Sequence, residues 1–110
     1  MKNSIWLLTI AAVVLLVAYV VYAVHRNSSL NANFKSIQPG TSREQVLSLM
    51  GKPTSEKAGC RDAATWLGHP VVGKTCATEL RYEARLLPKF WTIGLDEKGF
   101  AIAKYEYVSP

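Results

Sequence analysis

The chain has 110 residues, with 13 Lys and Arg against 8 Asp and Glu, for a formal net charge of +5. That length leaves room for one membrane segment and one small domain of about 80 residues, and nothing larger. Every acidic residue and all basic residues but Lys2 follow the apolar N-terminus. The excess is spread along the domain rather than clustered, which argues against a nucleic-acid partner and suits a solvated or a lipid-facing surface.

Residues 1–24 form the first unit. From Ile5 to Val24 the chain reads IWLLTIAAVVLLVAYVVYAV, without a charge and with Thr9 as its strongly polar side chain. As a helix it is about 30 Å long, the thickness of a bilayer core. The Thr9 hydroxyl can bond a carbonyl one turn back. Trp6 at one end and Tyr19 and Tyr22 at the other suit the headgroup level, and Lys2, His25 and Arg26 mark the boundaries. Three readings stand: an uncleaved anchor, a cleaved signal peptide with its site at Val21-Tyr22-Ala23, and a buried core helix. The run exceeds the roughly 7 to 15 residues of a signal h-region, which favours the anchor. No cysteine follows it closely, so lipidation there is not expected. Lys and Arg counts lean slightly against export of the domain.

Residues 25–33 (HRNSSLNAN) are polar and small and read as a linker, with residues 34–110 as the domain. Phe34 to Ile37 is expected as a short helical turn stopped by Gln38-Pro39-Gly40. The segment Thr41 to Pro53 then carries a complete helix signature. Thr41 and Glu44 have the capping-box spacing, Val46, Leu49 and Met50 share a face with Leu47 beside them, Gly51 can end the helix and Pro53 bars its continuation.

Cys60 and Cys76 are the two cysteines, and they bracket a loop-like stretch. Paired, they close a loop of about 17 residues, worth around 3 kcal/mol by chain entropy. Free structural thiols are one alternative and a metal site or reactive thiol using His69 another, but neither Cys-x-x-Cys nor His-x-x-x-His spacing is present. An even cysteine count favours a disulfide and hence an exported domain.

Beyond Cys76 the apolar period changes to two. Leu80, Tyr82, Ala84 and Leu86 alternate with charged residues in one predicted strand. Trp91, Ile93 and Leu95 share a face of a second, Asp96 to Gly99 makes a tight turn, and Phe100 to Val108 returns as the last strand. In that last strand Ala101, Ala103, Tyr105 and Tyr107 are expected on one face, with Ile102, Lys104 and Glu106 on the other. Thr65 to Leu67 is a candidate edge strand. The expected fold is α+β: the transmembrane helix, then two short helices packed on a three- to four-stranded antiparallel meander.

Ile37, Gly40, Thr41, Glu44, Val46, Gly51 and Pro53, read as I-x-x-G-x-[ST]-x-x-x-V-x-x-x-[LM]-G-x-P, resemble the signature of the SmpA/OmlA (BamE-like) domain. Asp96 and Gly99 resemble that family's strand, Asp-x-x-Gly, strand hairpin. The resemblance covers about 75 residues. It implies a two-helix, three-stranded domain on the periplasmic side of a Gram-negative envelope, with contacts to β-barrel assembly subunits and, in at least one member, to anionic phospholipid. Members carry a lipidation cysteine that this chain lacks, and the Cys60/Cys76 pair is its own feature. The small fold is also similar to β-lactamase-inhibitor repeats, which bind enzymes.

Arg81, Arg85 and Lys89 are candidate contacts for a partner or for lipid, on the face opposite Tyr82. The segment Leu86 to Trp91 is a candidate docking patch, with Trp91 split between partner contact and core. Catalytic residues, metal ligands and cofactors are not expected: His69 is the main candidate base, His25 abuts the membrane, and no serine sits in a nucleophile motif. The expected role is an envelope scaffold or assembly module held by a single pass in the inner membrane, its C-terminal domain periplasmic. The alternative is an inhibitor-like or ligand-binding module, and the alternative address is a cleaved form in the periplasm or at the outer membrane.

Overall fold

The computed structural model describes residues 2–61, 65–66, 69–70 and 75–108; the side chains of His69 and Pro70 lie outside the described set. Helix α1 runs without a break from Lys2 to Ser36, about 52 Å at the helical rise. Its apolar part is almost wholly exposed, and it is long and apolar enough to cross a membrane. A buried core helix is thereby set aside. Thr9 Oγ1 donates to the Ile5 carbonyl at 2.8 Å, as its place in an apolar helix demands.

The expected linker at 25–33 is helix instead, and the separate turn at 34–37 is the end of α1. No Pro or Gly interrupts residues 25–36, so extending a helix already nucleated is cheap. Polar side chains of the segment also find partners on the domain: Asn33 Nδ2 donates to Leu49 O at 2.7 Å. Leu30 and Phe34, four apart on one helix face, are buried in the domain core. The folded unit therefore takes in α1 residues that the boundary at 34 left out.

Helix α2 spans Arg43–Met50. Its cap is Ser42, not Thr41: Ser42 Oγ accepts from Gln45 N at 3.2 Å, and Gln45 Oε1 accepts from Ser42 N at 3.1 Å. Thr41/Glu44 and Ser42/Gln45 have the same spacing, and tertiary contacts decide between them. Thr41 is committed elsewhere, its Oγ1 donating to Gln38 O at 2.7 Å and its carbonyl accepting from Ala101 N at 2.8 Å. Glu44 is left exposed. Val46 and Met50 are buried and Leu47 packs at the core edge, but Leu49 is 38% exposed.

The strands are β1 (Ser55–Ala58), β2 (Thr65–Trp66), β3 (His69–Pro70), β4 (Thr78–Glu83), β5 (Lys89–Leu95) and β6 (Ala101–Val108). They lie in the order β1-β4-β5-β6-β2-β3. The β4-β5-β6 meander is antiparallel as expected, and β1 adds to it antiparallel beside β4. The sheet is mixed rather than purely antiparallel, because Trp66 of β2 pairs parallel with Lys104 of β6. β1 gave no strand signal because it is mostly solvent-facing, with sequence SEKA; the charges of Glu56 and Lys57 suit an edge strand.

Two details of register correct the sequence reading. β4 stops at Glu83, so Leu86 is not a strand residue; it is 60% exposed, with φ of 65°. A register shift at Gly94/Leu95 then sets Ala101 opposite Leu95 and Lys104 opposite Ile93. The bulge takes Ala101 and Ile102 out of the expected alternation, while Ala103, Tyr105 and Tyr107 share one face as expected and Lys104 and Glu106 point to the side carrying Ile93 and Trp91.

That side is covered by the helices. Leu30, Phe34 and Ile37 from the end of α1, with Val46 and Met50 from α2, pack against Leu80, Tyr82, Trp91, Ile93 and Leu95. Lys104 lies among them, 4% exposed. Its ammonium donates to Phe34 O at 2.9 Å and Ile37 O at 3.0 Å, carbonyls at the point where α1 ends. It also sits 4.8 Å from the Phe34 ring centre and 5.2 Å from that of Trp66. Burial pulls the Lys104 pKa below the usual lysine value, and Glu106 offsets part of that. Replacing Lys104 by Ala removes the donor from Ile37 O and leaves Phe34 O with only the 3.3 Å bond from Ile37 N, and is expected to cost about 2–4 kcal/mol, read as a lower urea midpoint by tryptophan fluorescence in detergent.

Candidate functional site

The residues of the two sequence signatures meet in one structural unit. Gly40, with φ of 90°, donates its N–H to Ala101 O at 2.8 Å, and Arg43 N donates to Gly99 O at 2.8 Å. Asp96 Oδ1 accepts from the N–H groups of Lys98 and Phe100, both at 2.9 Å, and closes the β5–β6 turn on Gly99, with φ of 86°. The Gly40 loop is thus zipped to the Asp96 turn. Val46 and Ile37 are core, and Gly51 turns the chain after α2 while its carbonyl accepts the buried Tyr82 hydroxyl at 2.8 Å. Pro53 lines a shallow groove with Leu47, whose rim carries the paired Arg43 and Glu56. These signature residues build the fold rather than present chemistry.

The disulfide joins Cys60, just after β1, to Cys76, just before β4, with Cα atoms 5.7 Å apart. It staples the open end of the β1–β4 ladder, where Ala58 faces Thr78 and Gly59 N donates to Ala77 O. The bonded cysteines set aside the free-thiol reading, and the His69 side chain of the metal reading lies outside the described residues. Among the described residues no group of three His, Cys, Asp or Glu gathers to hold a metal ion.

The candidate contact residues fall in different places. Arg81 lies on the sheet face away from the helices, where its guanidinium stacks 3.8 Å over the Phe90 ring centre and its Nε is 3.2 Å from Glu83 Oε1. Lys89 is on the Tyr82 side, paired with Glu106 and 5.1 Å from the Trp91 ring centre. The single face expected for Arg81 and Lys89 is therefore corrected: the loop after β4 returns Lys89 with the parity of Trp91. Trp91 itself is 1% exposed, so it fills the core and gives no partner contact. Arg85 sits in the exposed β4–β5 loop.

Around Arg81 the far sheet face carries an aromatic set that the sequence reading missed. Phe90 stacks on Tyr107 with ring centres 4.9 Å apart, and Tyr105 lies 6.3 Å from Phe90. A shallow groove runs along it, lined by Arg81, Glu83, Leu87, Pro88, Phe90 and Tyr107. The other end of this face is occupied, since Cys76 packs on Ile102 and Ala103 and Arg61 N donates to Glu79 Oε2 at 2.7 Å. Cys76 and Arg61 thus pack on one end of the face, while its aromatic and cationic end is partly open. The alternation of Tyr105 and Tyr107 was the available signal; the register that sets Phe90 and Arg81 on the same face is tertiary.

A second crevice lies between α1 and the β4–β5 loop, lined by Val24, Asn27, Asn31, Leu87, Lys89 and Trp91 among others. Asn31 Oδ1 and Trp91 Nε1 are buried there without a hydrogen-bond partner.

No family model, curated protein or solved structure matches this chain.

Two outcomes test the stapled and signature-built parts. Cys60→Ser with Cys76→Ser is expected to lower stability by about 3 kcal/mol, and reductant should do the same to the wild type but nothing to the variant in urea titrations. Burial raises the Tyr82 pKa to about 12. Below pH 10 the phenol is protonated in both states; as pH rises from 10 through 12 the unfolded phenol ionises first and pulls towards unfolding. Wild type should lose about 2–3 kcal/mol more than Tyr82→Phe across that window, measured by denaturation at each pH.

Proposed function

We propose that this protein is a membrane-anchored envelope module. Its apolar helix stays uncleaved in the inner membrane, and its domain works in the periplasm as a scaffold or assembly accessory through protein contacts. The role is similar to that of the SmpA/OmlA (BamE-like) domains that its two signatures resemble. The observation that carries this reading is the combination of an exposed apolar helix whose end packs into the domain core, and a partly open aromatic and cationic half-face on the sheet. Aromatic side chains with an arginine are the usual anchors of a protein interface. The disulfide supports an oxidising address.

An uncleaved helix keeps the protein in the membrane fraction at its full mass, while a cleaved signal gives a shorter soluble form. A C-terminal reporter active only in the cytoplasm overturns the periplasmic placement. For the partner, the full chain is captured from detergent-solubilised membranes alongside a Phe90→Ala, Tyr107→Ala variant. The expected result is recovery of β-barrel assembly subunits with wild type, about tenfold less with the variant, and circular dichroism of the variant unchanged. Recovery of one soluble envelope enzyme on the same face instead supports an inhibitor-like module, the second reading that an open sheet face allows.

A further inference from the structure

We propose that the β4–β5 loop, residues 84–88, is a second membrane contact. Leu86 and Leu87 insert into the lipid interface beside the point where α1 leaves the bilayer, with Arg26 and Arg85 at the headgroup phosphates. The inference rests on the reading of α1 as a membrane span.

Position comes first. Asn27 Nδ2 donates to Arg85 O at 2.6 Å and Arg85 N donates to Asn27 Oδ1 at 2.8 Å. This two-bond clasp holds the loop tip at residue 27, about 4.5 Å along the axis from Val24, the last residue of the apolar run. Arg26 Nη1 adds a bond to Glu83 O at 2.9 Å, and Val24 and Leu87 line the same crevice. The rest of the domain lies further from the span. Along β5 the neighbours on α1 move from Asn27 and Asn31 beside Trp91 to Phe34 and Ile37 at Lys104, which faces Ile93. The Asp96 turn is at the opposite end of the β5–β6 hairpin. Among the described residues the tip is thus held close beside the end of the apolar run.

Its chemistry fits that place. Leu86 is 60% and Leu87 58% exposed, and Val108, paired with Lys89 at the same end of the sheet, is 61% exposed. Leu86 also holds φ of 65°, a left-handed backbone that a side chain with a β-carbon disfavours. In water that leucine gains little for its strain. In the interface its side chain leaves water, and apolar side chains flanked by arginines are the composition that interfacial segments use. The two carboxylates at this end, Glu83 and Glu106, are each paired with a cation, so they do not repel phosphate unscreened.

The test uses the full chain in liposomes of phosphatidylethanolamine and phosphatidylglycerol, with an environment-sensitive fluorescent amino acid placed in turn at Leu15, Leu87 and Glu97. The expected result is a blue-shifted Leu87 probe quenched by lipids carrying a spin label near the headgroup and shielded from aqueous iodide. The Glu97 probe should be open to iodide, and the Leu15 probe reached only by deep quenchers. A Leu87 probe that behaves like Glu97, with Leu15 in lipid, overturns the loop contact and leaves the anchor standing. A Leu15 probe open to iodide overturns both. As a second measure, Leu86→Ser with Leu87→Ser keeps the melting temperature, since both side chains are exposed, but should speed trypsin cleavage after Arg85 on liposomes. Cleavage at the wild-type rate overturns the proposal.

Discussion

The structure depends on one buried cation. Lys104 leaves the middle of β6 and places its ammonium on the carbonyls of Phe34 and Ile37, where α1 ends inside the folded domain. A helix end without partners in a core is costly, because its last carbonyls have lost water and gained nothing. A charged donor is the strongest neutral-pH answer, and the negative end of the helix dipole favours it further. The same bonds fix α1 to the central strands, so the helix and the sheet form one body around Phe34, Trp91 and Ile93. The cost is a desolvated ammonium, and the flanking rings of Phe34 and Trp66 with nearby Glu106 lessen it.

Much of this was legible in the residues. The apolar run, the α2 helix, the three meander strands and the Asp96 turn are local features, and each has a physical cause that operates within ten residues. What was not legible is tertiary. Thr41 and Ser42 both satisfy the capping pattern, and only the pairing of Thr41 with Ala101 assigns the cap to Ser42. The bulge between Gly94 and Leu95 shifts Ala101 and Ile102, and the alternation of β6 alone does not say that its Lys104 face is the one packed against α1. Polar composition suggested a linker at 25–33, where Arg26, Asn27 and Asn33 are instead hydrogen-bonded to the domain along a continuing helix.

The candidate face was legible only in part. Arg81 was found by its charge, but its neighbours Phe90, Tyr105 and Tyr107 come from two other strands, and a register is needed to assemble them. Trp91, the most conspicuous aromatic of the segment, is spent on the core. At the other end of that face Cys76 packs on Ala103 and Arg61 N bonds Glu79.

The unbroken α1 has a mechanical consequence. A domain on a flexible tether samples many heights and angles above a bilayer, and its binding face points everywhere in turn. With α1 in lipid as proposed, the rod in the bilayer is the rod that Lys104 grips, so a tilt of the span is a tilt of the sheet. Spans tilt to match bilayer thickness, and a lever of this kind turns a change in thickness into a change in the direction from which a neighbour must approach.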